Sequence, residues 1–199
     1  MSHKDTLKHV LASTWAMLTR GAAHSSDPFH EPVLATGNAD GCGLRTVILR
    51  RADETRRILI CYADARSTKI AEIEHSGCAG WLFYHPRKKI QVRIHGAATV
   101  HTNDATAEAQ WERVKGFSRL SFCTEQPPGT PLLRPSSGLS ERLLKDLPKL
   151  ISSNAGREHF AAIIGHVAYM DWLQLRPSGN LRARFQWDAD LPDASWIVP

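Results

Sequence analysis

The sequence lacks most of the patterns that would name a chemistry outright. Its four cysteines form no CxxC or CxH pair and its ten histidines no HExxH or comparable pair, so a metal site is not expected. No stretch approaches the ~20 apolar residues of a membrane helix. The start MSHKDTLKHV is polar, which predicts a chain without a secretory leader, soluble and cytoplasmic, with no membrane partner. Repeats and low-complexity tracts are missing as well. Charge of one sign is in short supply: 25 lysines and arginines against 20 acidic residues leave +5, which suits anionic ligands but is scattered. With aromatics at only 8% and no aromatic-basic stripe, nucleic acid is not expected as a partner. Cys42, Cys61, Cys78 and Cys123 read as reduced thiols in or near a core.

What is present is a core and a strand-rich pattern. Hydrophobic residues make up 42% of 199, enough for one domain spanning 1–199. Leu7, Val10, Leu11, Trp15 and Leu18 recur at helical spacing with Gly21 as a stop, predicting an N-terminal docking helix within 1–21. EPVLATGNADGCGLRTVILRR reads as two strands around an Asn-Ala-Asp-Gly turn, and ADETR as a turn before a strand over 57–62. A short helix is expected over 67–74, ended by Gly77. CAGWLFYHPRKKIQVRIHGAATVHT reads as two strands joined at His85-Pro86, the second long and bent at Gly96. A helix capped at Asn103 or Asp104 runs to about Lys115. The segment 124–140, rich in Pro, Gly and Ser, is a loop. A helix over 141–151, disturbed by Pro148, precedes two long strands over 164–175 and 181–187. Five or six hairpin-connected strands close most readily as a barrel, which removes exposed edges.

The cations gather around these strands. Thr46-Val47-Ile48-Leu49 lies between Arg45 and Arg50, and Arg66 and Lys69 flank Ser67. If Ser67 caps the following helix, first-turn N–H groups without intrahelical partners join the helix dipole in an anion pocket. The plainer alternative is an ordinary cap with solvated charges. Alternation places Arg45, Val47 and Leu49 on one side of their strand, where an unpaired charge is costly. A flat, mostly apolar ligand with an anionic tail accounts for both features; an arginine reaching solvent from a strand end accounts for the strand alone. IQVRIH sets Gln91, Arg93 and His95 on one face, either a wet face or, for Gln91, a hydrogen-bonding partner for a heterocycle edge.

LATGNADGCGLRTVILR, YADARSTK and IQVRIHGAATV, in this order, with Gln126 in FCTEQPPG and the later DWLQLRPSGNLRARF, resemble the pyridoxamine 5'-phosphate oxidase-like family of flavin-binding split barrels. The resemblance spans about residues 30–199. WAML and PPGTP are closer to the family's FMN-binding branch of undefined substrate than to the true oxidases. The resemblance implies a mainly β fold with inserted helices, a six-stranded antiparallel split β-barrel of the FMN-binding type. It implies a homodimer with FMN in each of two clefts between subunits. Arg45, Thr46, Val47, Ile48, Leu49 and Arg50 would lie along the isoalloxazine and phosphate, with Tyr62 and Ala63 beside them. Arg66, Ser67, Thr68 and Lys69 would hold the phosphate, Thr68 standing where the oxidases often carry Arg. Gln91 would face the flavin. Gln126 and Arg184 would come from the other subunit, with Trp172 or Leu173 beside them.

The match breaks at the end of the chain. The oxidases close with Arg-Leu-His-Asp-Arg, whose first Arg and His engage the pyridoxal substrate; here the stretch is Asn180-Leu181-Arg182-Ala183-Arg184. Arg184 survives and the substrate pair does not, so pyridoxamine 5'-phosphate loses much of its recognition. Arg113 and Arg119, near Trp111, and Arg182 are substrate candidates, with a helix face and a loop salt bridge as the plain reading of the first two. No residue is an obvious acid, base or nucleophile, and the catalytic residues stay unassigned. The expected function is FMN-dependent oxidation or reduction of a small heteroaromatic or quinonoid molecule, the cofactor carrying the hard chemistry. The alternatives are a non-catalytic flavin sensor or carrier, or a split barrel using deazaflavin or haem.

Overall fold

The structure, a computed structural model, describes residues 6–38, 41–145 and 154–199. The first helix, α1 (Leu7–Ala23), is capped by Thr6, whose hydroxyl accepts the His9 N–H at 3.2 Å. It buries Val10, Thr14, Trp15, Met17 and Leu18 on one face. The helix does not stop at Gly21 but continues to Ala23. Gly21 is there for clearance, since a Cβ would sit 2.7 Å from the Phe29 backbone.

β1 (Val33–Asn38) and β2 (Gly41–Thr46) form the expected hairpin, Val33 opposite Thr46 and Asn38 opposite Gly41. The β2 ladder ends at Thr46; beyond it, Val47 and Leu49 donate backbone N–H bonds to Pro32 and His30 carbonyls. β3 (Arg51–Asp53) is a short strand that the sequence pattern did not reveal, paired with β4 (Ile58–Asp64). α2 (Thr68–Ser76) follows the Ser67 cap and ends at Gly77, whose φ of 66° is the left-handed C-cap that glycine adopts freely.

β5 (Cys78–His85) and β6 (Ile90–His101) pair in register from Cys78–Ala97 to His85–Ile90. Alternation buries Ala79, Trp81 and Phe83 on one side. α3 (Ala105–Trp111) is capped by Asp104 and stops earlier than expected, followed by a 3-10 turn over Gly116–Phe122. The segment 124–140 has no regular structure, as predicted. α4 (Glu141–Lys145) begins the expected helix, and 146–151, with Pro148, lies outside the described residues.

The expected strand over 164–175 is two strands, β7 (Phe160–His166) and β8 (Tyr169–Gln174). The break has a topological cause. β6 pairs with β8 along Ile90–His95 and with β7 along Ala98–His101, so Gly96 is the point where it passes from one sheet to the other. A Cβ on Gly96 would overlap the His166 carbonyl and the Ala168 nitrogen. β9 (Leu181–Gln186) and β10 (Asp193–Ile197) complete the sheet; β10 is the other strand missing from the sequence reading, because DASWI is short and half polar.

The antiparallel order is β10-β9-β8-β6-β5-β1-β2, with β6 continuing through β7 to β4 and β3. The class is the expected split barrel with inserted helices, built from ten strands among the described residues rather than six. Its core holds Leu34, Trp81, Phe83, Val92, Ile94, Met170, Trp172 and Phe185, with Trp15 and Leu18 of α1. A second cluster of Trp111, Val114, Phe122 and Phe160 joins α3, the 3-10 turn and β7. Of the four thiols, Cys61 and Cys123 are buried, while Cys42 and Cys78 are exposed, contrary to the near-core reading. No helix among the described residues is long and apolar enough to cross a membrane.

Candidate functional site

The end of β2, the segment running on from it, the end of β4 and the start of α2 converge on one cleft of about 330 Å³. Arg45, Thr46, Val47, Ile48 and Arg50 line it from the first strand segment, Tyr62, Ala63 and Asp64 from β4, and Lys69 from α2. Ser118, Ser121, Phe122 and Pro128 complete it from the 3-10 turn and the loop. The strand segment and Lys69, far apart in sequence, are thus brought together as expected. Leu49 faces the core instead, at 1% exposure.

Ser67 occupies the cap position but does not cap with its side chain; its hydroxyl donates to the Asp64 carbonyl at 2.6 Å. That leaves the α2 first turn without a side-chain acceptor from its cap. Lys69 is half-buried and donates to Ser67 Oγ at 3.0 Å. Burial first, then the nearby Arg45 charge, pulls its ammonium below the usual lysine value. A partly desolvated cation beside a helix N-terminus fits the phosphate of a flavin mononucleotide, and the apolar strand segment fits a flat ring.

Two arginines expected at the ligand are committed elsewhere. Arg45 donates to Glu72 at 3.1 Å, to the Gly43 carbonyl at 3.0 Å and to Thr36 Oγ1. It therefore lines the cleft as one half of an ion pair rather than as a lone charge among apolar residues. Arg66 grips Asp64 through Nε at 3.0 Å and Nη2 at 2.7 Å, and Nη2 also donates to the Thr124 carbonyl and hydroxyl. Glu72, Asp64 and Thr36 were absent from the sequence reading. An acidic residue one helical turn beyond Lys69 was the available hint for Glu72.

A second cavity of about 290 Å³ opens beside the first and shares Arg50, Tyr62 and Ser118 with it. Arg51, Gln110, Arg113, Val114 and Lys115 supply the rest of the lining apart from Ala22. Four of these residues are cationic and none is acidic, although Arg51 is paired with Asp53 at 2.6 Å. Tyr62 separates the two cavities; its hydroxyl donates to Gln110 Oε1 at 3.2 Å and Arg50 lies 5.5 Å from its ring centre. Burial pushes the Tyr62 hydroxyl above its usual value despite Arg50 and Arg113. Arg119 does not line this cavity: it stacks over Trp111 at 4.9 Å and donates to the Val114 carbonyl.

The remaining expected residues lie elsewhere. Thr68 is exposed on the first turn of α2. Register places Gln91, Leu173 and Arg182 in one row across β6, β8 and β9, and Arg93, Asp171 and Arg184 in the next. These rows form the outer face of the sheet. Trp172 points the other way, into the core, so Leu173 is the one on the face with Gln91 and Arg184. Arg182 is bound to Asp171 at 2.8 Å, an ion pair the substrate reading did not foresee. Arg184 Nε is buried without a hydrogen-bond partner among the described residues, and so is Ser195 Oγ on the neighbouring strand. Gln126 lies in the loop and lines a separate cavity that adjoins the cleft at Ser121 and Pro128.

No curated protein matches the sequence. Among solved structures, a pyridoxamine 5'-phosphate oxidase-related, FMN-binding protein from Nostoc punctiforme superposes with a TM-score of 0.74 at 21% identity, covering 100% of this chain and 99% of its own. PhzG from Burkholderia lata, solved with tetrahydrophenazine-1-carboxylic acid, gives 0.71 at 20% identity over 97% of this chain and 90% of its own. These likenesses establish the fold along the whole chain. Residues 12–102, which carry most of α1, the cleft strands and α2, match the model of the pyridoxamine 5'-phosphate oxidase FMN-binding domain.

Proposed function

We propose that the protein is an FMN-dependent oxidoreductase that acts, as a homodimer, on a small ring compound carrying an anionic group. The observation that carries this reading is the pair of adjoining cavities, one fitted to a flavin phosphate and ring, the other cationic and meeting it at Arg50 and Tyr62. Lys69 and the backbone N–H groups of the first turn of α2 hold the phosphate. The backbone of Thr46 to Leu49, with Tyr62 and Ala63, forms the wall for the ring, and Gln91, Gln126, Leu173 and Arg184 complete the cleft across the dimer. The bound flavin supplies the electron or hydride transfer. The chain's own residues bind and orient: Arg50 and Arg113 grip the substrate anion, with Lys115 adding charge at the same wall. The aromatic carboxylate bound by PhzG is of the chemical class this arrangement suits.

Purified protein mixed with FMN is expected to acquire the visible bands of a bound flavin. Lys69→Ala is expected to weaken that binding by about 2 kcal/mol, roughly thirtyfold, as the loss of a charge-assisted contact. A protein that stays colourless and ignores added FMN sinks the proposal. Bleaching of the flavin by pyridoxamine 5'-phosphate without oxygen would instead restore the oxidase activity that the missing Arg and His argue against.

A further inference from the structure

Two of the three guanidinium nitrogens of Arg66 are spent on protein. Its Nε and Nη2 form a fork on the Asp64 carboxylate, which is itself buried at 4% side-chain exposure. Nη2 also donates to the Thr124 carbonyl at 3.0 Å and hydroxyl at 2.9 Å. With Nε and Nη2 committed, only Nη1 is left over, and one nitrogen cannot close a fork on a phosphate. Thr124 begins the loop 124–140, and that loop is knotted onto itself. Thr124 Oγ1 donates to the Gln126 carbonyl at 3.0 Å, and the Glu125 N–H donates to the Gly138 carbonyl at 2.8 Å. Pro128 of the same loop is part of the flavin-cleft lining, beside Ser121 and Phe122. Arg66 therefore ties the end of β4 to the loop that walls the cleft, while Lys69 lines the cleft itself.

We propose that Arg66 is a positioning residue: it holds the 124–140 loop as the wall of the cleft and does not bind the cofactor phosphate. The proposal rests on the FMN reading above, but its test separates the two. FMN and riboflavin differ only in the phosphate, so their relative affinity reports a phosphate contact and nothing else. Arg66→Ala is expected to weaken both flavins by the same factor, roughly tenfold, and to keep the preference for FMN. Lys69→Ala is expected to cut that preference roughly thirtyfold. In the same full-length proteins, thermolysin is expected to cut at Leu132 and Leu133 several-fold faster in Arg66→Ala than in the parent. Arg66→Lys keeps a cation for Asp64 without a fork to reach Thr124, and is expected to stay protease-sensitive. Thr124→Val, which removes the hydroxyl with its bond from Arg66 and its bond to the Gln126 carbonyl but leaves the Arg66 bond to the Thr124 carbonyl, is expected to show the same pattern more weakly and serves if Arg66→Ala fails to fold. Loss of the FMN preference in Arg66→Ala, to the level of Lys69→Ala, overturns the proposal. If the parent binds neither flavin the FMN reading fails, and equal loop cleavage in parent and Arg66→Ala then overturns the positioning role as well.

Discussion

Asp171 sits at 1% exposure on the outer side of β8, and two arginines reach over it, Arg93 at 2.5 Å and Arg182 at 2.8 Å. Burial alone would raise its carboxyl; the hydrogen bonds from Arg182 and Arg93 outweigh it and hold the group below the ordinary carboxylate value. A carboxyl depressed in the folded state contributes stability that is complete above its unfolded pKa and lost as pH falls through the folded one. Asp171→Asn is therefore expected to unfold more easily by about 1–3 kcal/mol at neutral pH, and the difference should close in acid, below about pH 4. Urea titrations at both pH values check this; a gap that persists in acid would mean the loss is steric. At this scale the sequence is a partial guide. Arginine positions are visible in it, but their partners are not. Arg45, Arg66 and Arg182 each look like a ligand's cation until Glu72, Asp64 and Asp171 are brought to them, from 27, 2 and 11 residues away. Lys69 also feels Asp64 and Glu72, but its ammonium donates to Ser67 Oγ rather than to either carboxylate.

Among the elements, β6 organises the barrel, because its two halves pair with different strands and Gly96 makes the turn between them. Gly80 lies in the neighbouring strand, where a Cβ would meet only the Ala35 side chain and the Ile94 carbonyl at 3.7 Å, an ordinary contact. Gly96→Ala is accordingly expected to cost on the order of 2–4 kcal/mol, through overlap with the His166 carbonyl. Gly80→Ala should change stability by less than about 1 kcal/mol in either direction. Denaturant midpoints of the two variants measure the contrast, and equal costs would remove Gly96 as the hinge. The bend was legible because a glycine inside a long β-type run needs a reason. The strands β3 and β10 were not, since three or five residues of mixed polarity become strands only when a neighbour offers its open edge. The 164–175 run read as continuous because periodicity follows the residues of one segment and cannot see a change of partner.

On the scale of the whole molecule, one face of the large sheet is left bare. Register sets Leu44, Leu82, Tyr84, Gln91, Leu173 and Arg184 on the side away from the core, and Leu44, Leu82 and Tyr84 are 67%, 39% and 43% exposed. Large apolar side chains grouped on a β face are what an interface covers. The orphaned donors of Arg184 and Ser195 lie on the same face, toward its other edge. A second copy packed here would cover the leucines and bring Arg184 to the neighbouring cleft, which is the proposed dimer. Leu82→Arg places a charge at the centre of that contact, directly opposite Arg93 on β6. The barrel interior is on the other side of the strand, so the fold should persist. The expected result is a monomer by sedimentation equilibrium with an unchanged far-ultraviolet spectrum. FMN affinity should fall together with dimerisation, because half of each cleft has left. A variant that stays dimeric would move the interface to another surface, and one that becomes monomeric with full FMN affinity would place every flavin contact within a single chain.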